Sequence, residues 1–257
     1  MNWFFVKKYL QYQCRAVNAR KIHSPFVYEF YTQVLKDRTK YPLYKTVNAL
    51  KRKLRQQHER ITITDFGSGT YQNSRKLSSI VKNSAQWKPY AELLHRIMKH
   101  YNYPEFIELG TSLGFSTIYL AAGNPQAQGY TIDACGASLK VARENFQTLN
   151  LHNINIIHGK FEAHFESLLE KMPASTLIYI DGNHTYTSTL NYFNAILKHQ
   201  DKLPVLILDD LYYSPEMEKA WQEISNHASV TLSLDLFKYG IVYFDNRFSK
   251  QNFVLKV

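Results

Sequence analysis

The chain has 257 residues, of which 45% are hydrophobic and 20% charged, and a formal net charge of +10. That length accommodates one α/β domain with an appendage, and that composition excludes a disordered chain. No run approaches the ~18 consecutive apolar residues of a membrane span, and the opening Met1-Asn-Trp-Phe-Phe-Val, followed at once by Lys7 and Lys8, does not read as a secretory leader.

Cys14 and Cys135 are the two cysteines. They lack disulfide or metal-ligand spacing and suit a reducing compartment, so a cytoplasmic location is expected. The charge is unevenly placed. Residues 1–60 hold 14 Lys/Arg against 3 Asp/Glu, whereas the rest of the chain is close to neutral. A basic front of this kind fits either a solvated helix face or an anionic partner.

Amphipathic periodicity predicts helices over 2–18 and 25–36, separated by His23-Ser24-Pro25, with Ser24 as cap and Pro25 in the first turn. Further helices are expected over 43–58, 73–83 and 88–100. From Glu105 short apolar runs alternate with helix-length segments, the pattern of βαβ units. Strands are expected at 105–109, 128–132, 154–158, 176–180 and 204–209. The helices between and after them fall at 115–122, 137–149, 162–170, 187–198 and 215–227. Three closing runs, 229–235, 239–244 and 252–256, lack intervening helices and are expected to be antiparallel strands. The fold class is therefore α/β: a Rossmann-like, doubly wound, mostly parallel sheet with antiparallel C-terminal strands. Residues 1–100 are expected to form a basic, mainly helical extension, and 101–257 the Rossmann-like domain.

Two glycine turns compete for a nucleotide. Asp65-Phe-Gly67-Ser-Gly69-Thr follows the β-like run Ile61–Thr64, and Glu108-Leu-Gly110-Thr-Ser-Leu-Gly114-Phe-Ser116 follows Phe106-Ile107. A turn of this type brings backbone N–H groups to a ligand at a helix N-terminus. It should be followed about 20 residues later by an acid that ends the next strand and holds ribose hydroxyls. Asp133 meets that requirement for the second turn, while the first has no such acid. The Gly-x-x-x-Gly spacing lacks the three glycines that serve a dinucleotide pyrophosphate.

The segment 108–117 resembles the first motif of class I S-adenosylmethionine-dependent methyltransferases, especially the catechol and caffeoyl-coenzyme A O-methyltransferases. Asp181-Gly-Asn-His184-Thr-Tyr186 is similar to the Asp-Gly-x-His-x-Tyr signature of a related bacterial group. The resemblance covers about residues 104–244. It implies that Glu108, Gly110, Thr111, Ser112, Gly114 and Ser116 surround the methionine part of the cofactor. Asp133 would take the ribose and Phe161 with Glu162 the adenine, with Ala134 also in the cofactor site; Asp181, where it does not hold a metal, would instead contact the sulfonium side.

Asp181 ends the run Leu177–Ile180, and Asp209-Asp210 end Val205–Leu208. Ligands sit at the carboxyl ends of strands in open parallel sheets, so these acids should converge. Three carboxylates without a cation repel one another, which favours a divalent metal held by Asp181, Asp209 and Asp210; oxygen ligands suit magnesium, manganese or calcium. The catechol-type enzymes have Asp and then Asp-Asn here, so Asp210 is a departure. His184 stands where those enzymes carry a basic lysine, and an imidazole takes a proton at neutral pH. Asp181 and His184 are thus the catalytic candidates, with Tyr186 as packing.

The expected activity is methyl transfer to a hydroxyl of a small molecule. Two rivals stand beside it: a nucleic-acid methyltransferase using the basic N-terminus, and a non-catalytic binding module on the same fold. Against the first, no Asn/Asp-Pro-Pro-Tyr segment or Pro-Cys nucleophile occurs. The aromatic and basic start would also suit a membrane surface, and the N-terminal helices offer a surface for a homodimer.

Overall fold

A computed structural model describes residues 3–65, 71–83 and 88–257. The first part of the chain forms α1 (Trp3–Arg15), α2 (Pro25–Glu29), α3 (Pro42–Arg55), β1 (Arg60–Asp65), β2 (Tyr71–Lys76), α4 (Leu77–Asn83) and α5 (Lys88–Tyr101). Strand and helix then alternate as β3 (Glu105–Leu109), α6 (Phe115–Gly123), β4 (Gln128–Asp133), α7 (Gly136–Thr148), β5 (Ile154–His158), α8 (Phe161–Lys171), β6 (Leu177–Ile180), α9 (Tyr186–Leu197), β7 (Val205–Leu208) and α10 (Pro215–Asn226). The chain closes with β8 (Leu232–Asp235), β9 (Gly240–Tyr243) and β10 (Gln251–Val254). This is a Rossmann-like α/β fold with mostly parallel strands, as the sequence pattern predicts. Among the described residues no helix is long and apolar enough to cross a membrane. Contacts divide the chain into two compact units, one of Met1–Asp37 with Glu166–Val257, the other of Arg38–Phe165.

In the unit Arg38–Phe165, β3, β4 and β5 pair in parallel. Gly129 on β4 stands opposite Phe106 on β3, and a Cβ at Gly129 would lie 2.2 Å from that ring. Phe106 therefore lies across the neighbouring strand only because no side chain occupies it. Helix α6 is buried on nearly all sides, in keeping with its run of apolar residues. It packs on α5, where the missing Cβ of Gly123 allows an approach to the His95 carbonyl.

The helix expected over 73–83 begins only at Leu77. Residues 71–76 instead pair antiparallel with β1, Ile61 opposite Arg75 and Ile63 opposite Asn73. The polar run Asn73–Lys76 shows no alternation of its own, so its strand state is imposed by the β1 partner. Arg60 reinforces the pairing by donating to the carbonyl and hydroxyl of Ser74. β1 also packs on the start of α7, where the Thr64 N–H donates to the Cys135 thiol at 3.5 Å. The glycine turn that β1 leads into, residues 66–70 of the Asp65–Thr70 segment, lies outside the described residues.

Helix α3 buries a lysine. Lys51 is 8% exposed, with its ammonium 4.6 Å from the Phe115 ring centroid and 5.9 Å from that of Tyr119. Burial and the neighbouring Arg55 lower its pKa to about 8, with Glu92 opposing them. The folded value lies below that of the unfolded chain, so between the two the unfolded state binds more protons and stability rises with pH. Below pH 8 the cost of burying the charge is fully present, softened by the two aromatic faces. Urea titrations at pH 8 and about 9.5 should differ by about 1.5 kcal/mol through this group, a rise that Lys51→Met removes. An equal rise in the variant would contradict this account.

In the other unit β6 and β7 are parallel, while β9 runs antiparallel to both β7 and β8. β10 is not antiparallel as expected: it pairs in parallel with β8, on the side away from β9. The reason lies in the chain between Phe244 and Ser249, which returns to the start of β8 and does not close a hairpin. The Gln251 N–H bonds the Thr231 carbonyl at that end. β6, β7, β8 and β9 are buried throughout.

The N-terminal helices belong to this unit. Ser24 caps α2 through the Val27 N–H at 3.4 Å, with Pro25 in the first turn, as expected. The helix then widens into a π-turn over Phe30–Leu35, bringing the buried pairs Phe30/Val34 and Tyr31/Leu35 into line at a spacing of four. Helix α1 ends at Arg15, short of residue 18, because Val17 bridges to Leu255 beside β10. The Tyr12 hydroxyl donates to the Leu255 carbonyl at 2.5 Å. Phe5, Tyr9 and Tyr12 close around Phe237 at ring distances of 5.0, 5.0 and 5.2 Å, and Tyr212 stacks on it at 5.3 Å. Phe237 has a φ of +70°, a conformation that a bulky side chain holds only when its surroundings fix it. That ring cage fixes the turn between β8 and β9.

Candidate functional site

The residues expected around the cofactor lie, Asp181 apart, in the unit Arg38–Phe165. Glu108 on β3 is fully buried, and its Oε2 accepts hydrogen bonds from Thr117 and Thr131, the latter at 2.6 Å. The Thr131 hydroxyl is in turn 2.6 Å from that of Thr111. Glu108 therefore ties β4 and α6 to the turn at its back. Gly110 and Gly114 have φ of +107° and +79°, which L side chains rarely adopt. Gly114 opens α6 without a side-chain cap, and Ser116 is buried in the first turn. Asn145 on α7 supports the turn from outside, donating to the Leu113 carbonyl at 2.9 Å.

Asp133 ends β4 half-buried. Its Oδ2 accepts from the Ser112 N–H at 2.7 Å and its Oδ1 from the Cys135 N–H at 2.8 Å. The carboxylate is thus fixed against the glycine turn, and a carboxylate accepts about four hydrogen bonds in all. Ala134 follows at the bend, its carbonyl 3.2 Å from His158 Nε2. Phe161, half-buried, and Glu162, exposed, open α8. A glycine turn in left-handed conformation with an oriented acid beside it is a fitting cradle for the nucleoside and amino-acid parts of S-adenosylmethionine. The three-glycine pattern that serves a pyrophosphate is absent from this turn.

The acid and histidine candidates lie in the other unit. Asp181 follows β6, and Asp209 and Asp210 follow β7. The Tyr179 hydroxyl bridges two of them, 3.2 Å from Asp181 Oδ2 and 2.8 Å from Asp209 Oδ2. Asp209 is 1% exposed and its Oδ1 also accepts from the Asp210 N–H at 2.7 Å. His184 Nε2 lies 3.6 Å from Asp181 Oδ1, an ion-pair distance and longer than a hydrogen bond. Beside it stands the Tyr213 ring, 5.6 Å away and 60% exposed. Tyr186 begins α9, where its hydroxyl donates to Glu223 at 2.5 Å and Lys219 covers its ring.

Sequence reasoning missed Lys238. From the turn between β8 and β9 its ammonium reaches Asp209 Oδ1 at 2.7 Å and Asp210 Oδ1 at 2.5 Å. Burial lowers the pKa of this lysine, but Asp209, Asp210 and Asp181 more than offset it and hold the charged form. Burial and Asp181 push Asp209 upward, and Lys238 opposes them. Burial works against the charge of Asp181 as well, yet His184 and Lys238 outweigh it and keep its pKa below the ordinary value. For His184 burial is outweighed by Asp181, Asp210 and Asp209, so its pKa is raised above 6.5.

The expected ligand set Asp181, Asp209 and Asp210 does converge, but around an ammonium. Among the described residues, ligand atoms of the half-buried Asp181, His184 and Asp210 lie within 4.8 Å of one another. A metal there would share Asp210 with Lys238. At an effective dielectric of about 20, a divalent ion roughly 5 Å from an ammonium is repelled by about 7 kcal/mol. An ion there would thus meet the repulsion of Lys238 together with the attraction of Asp181 and Asp210.

Residues 107–211 match a family model described as a methyltransferase domain. A ribosomal RNA small subunit methyltransferase G from Shewanella baltica is 31% identical over 119 residues, covering 42% of this chain and 58% of that protein. The chain thus spans a little over half the length of the curated relatives it matches. An O-methyltransferase described as putative from Klebsiella pneumoniae superposes with a TM-score of 0.56 at 17% identity, over 81% of this chain and 92% of that one. The O-methyltransferase from Bacillus cereus in complex with SAH gives 0.54 at 16% identity, with the same coverage. At such identities these structures show the fold. The family match spans the glycine turn, Asp133 and the strand-end acids Asp181, Asp209 and Asp210, so residues 107–211 are similar to a methyltransferase domain, and the superpositions show its Rossmann-like fold.

Proposed function

We propose that the protein transfers a methyl group from S-adenosylmethionine to a hydroxyl of a small molecule, with His184 as base. The observation that carries this reading is the half-buried Asp181–His184 pair, with Nε2 3.6 Å from Oδ1 and the exposed Tyr213 ring alongside. The cofactor supplies an electrophilic methyl on sulfur. Glu108, Gly110, Thr111, Ser112, Gly114 and Ser116 are assigned to its methionine part, Asp133 and Ala134 to the ribose, Phe161 and Glu162 to the adenine. Asp181 is assigned to the sulfonium side and to orienting His184. The cofactor would supply its methyl group to the acceptor oxygen, and the hydroxyl proton would pass to Nδ1 of His184, the ring nitrogen not paired with Asp181. Positioning and electrostatics supply most of the acceleration. No step passes through a metal held by Asp181, Asp209 and Asp210.

Residues 1–100 are assigned as a basic, mainly helical cap and 101–257 as the Rossmann-like methyltransferase domain. The two cysteines are free thiols, in keeping with a cytoplasmic location. Calorimetric titration of S-adenosylmethionine into the purified chain tests the reading. Micromolar affinity is expected, and no binding at any pH near neutrality would leave a non-catalytic module on this fold.

A second reading rests on the name of the Shewanella baltica relative and on the basic surface. Arg52, Lys53, Arg55, Arg75 and Lys76 are exposed on α3 and β2. If the acceptor is RNA, a structured RNA should shift in a gel with an affinity that falls steeply with salt. A shift that is weak and independent of salt leaves the small-molecule reading.

A further inference from the structure

We infer that the ammonium of Lys238 is the resident cation of the Asp181–Asp209–Asp210 cluster, so that this methyltransferase site works without a divalent metal. The inference rests on the proposed function for its consequence and on geometry for its substance. Lys238 Nζ is within hydrogen-bond distance of Oδ1 of both Asp209 and Asp210. Asp209 has donors on each oxygen: Tyr179 on Oδ2, and Lys238 with the Asp210 N–H on Oδ1. A metal at Asp209 would have to displace the ammonium and leave it only 14% exposed, among fewer acceptors than before.

The ammonium is also held from behind. Lys238 sits in the turn Leu236–Tyr239, where its N–H bonds the Leu236 carbonyl at 2.9 Å and its own carbonyl accepts from Leu211. The residue before it is Phe237, locked at positive φ inside the cage of Phe5, Tyr9, Tyr12 and Tyr212. The residue after it is Tyr239, fully buried against Tyr179 at a ring distance of 5.8 Å. Such a turn delivers its lysine to one place, unlike a surface lysine that swings in solvent. Asp210 meets it from a left-handed backbone, with φ of +54°. Lys238 is thus a positioning residue: it neutralises Asp209 and Asp210 and leaves Asp181 to act on His184.

The test is a titration of manganese into the metal-stripped full chain by calorimetry, with S-adenosylmethionine binding measured in parallel in EDTA and in magnesium. The wild type is expected to show no saturable manganese site tighter than on the order of 1 mM, and cofactor affinity within about twofold in the two buffers. Lys238→Met, which uncovers Asp209 and Asp210, should bind manganese at least about tenfold more tightly than the wild type, whereas Lys238→Arg should not. Should Lys238→Met fail to fold, the wild type and Lys238→Arg still decide. A micromolar manganese site in the wild type, lost in Asp210→Asn, overturns the inference, as does turnover that requires magnesium. Failure of the cofactor to bind in both buffers would overturn the methyltransferase reading alone, because the manganese titration reads the cluster directly.

Discussion

Gly114→Ala is expected to lower stability by about 2–4 kcal/mol and to weaken S-adenosylmethionine binding by at least about tenfold in the molecules that remain folded. The stability loss has two sources. At φ of +79° alanine occupies a region that glycine enters freely, and its Cβ would lie 2.4 Å from Cε1 of Phe146 and 3.2 Å from Cβ of Ala142. Phe146 is 4% exposed on α7, so it yields only by disturbing the packing of α6 on its neighbour. The affinity loss follows because Gly114 is the residue from which α6 begins. A shift there moves the N–H groups at the helix start and the Ser112–Asp133 hydrogen bond together. Gly129→Ala is the control. Its Cβ would strike Phe106 at 2.2 Å in a strand interior, so it should destabilise as much while sparing affinity per folded molecule. Equal affinity loss in both variants would mean that Gly114 matters only for packing.

The βα half of the fold was legible because its signals are local. β3 and β5 fall at the residues expected, and α6, α7, α9 and α10 begin within one residue, since each has a glycine, serine or threonine at its start and an apolar periodicity behind it. Errors came where state is decided by a distant partner. Asn73–Lys76 is a strand only because β1 pairs with it, and β10 takes its direction from where residues 245–250 carry it. Nothing in either segment records that partner.

The candidate site divides the same way. Strand-end acids are visible in sequence because a polar residue interrupts an apolar run, and this located Asp133, Asp181, Asp209 and Asp210. Lys238 gives no such signal: it is one lysine in a turn, 28 residues beyond Asp210. The charge argument was sound in requiring a cation near three carboxylates. What sequence could not provide was the cage around Phe237, built from α1 at the other end of the chain, which puts a lysine where a metal was expected. Tyr179 was missed for a related reason. As an aromatic in an apolar run it reads as core, and only in the fold does its hydroxyl join Asp181 to Asp209.

His184→Ala is expected to lower kcat by about 10²–10⁴-fold while leaving S-adenosylmethionine affinity unchanged. A base acts on the acceptor proton, and in the bound complex without His184 that proton must leave to water. Added imidazole should restore part of the lost turnover, which a purely structural role for His184 would not allow. Tyr213→Ala separates positioning from proton transfer. Its ring stands 5.6 Å from His184 and is largely exposed, so its loss should raise KM for an aromatic or planar acceptor and spare kcat. Asp181→Asn belongs with His184: the amide keeps the shape but removes the charge that opposes the burial of the imidazole, so kcat should fall and imidazole should not rescue it. Undiminished kcat in His184→Ala would remove the base from the mechanism. Transfer would then depend on the orientation of an acceptor already ionised in solution, and the acidity of the acceptor, not the protein, would set the rate.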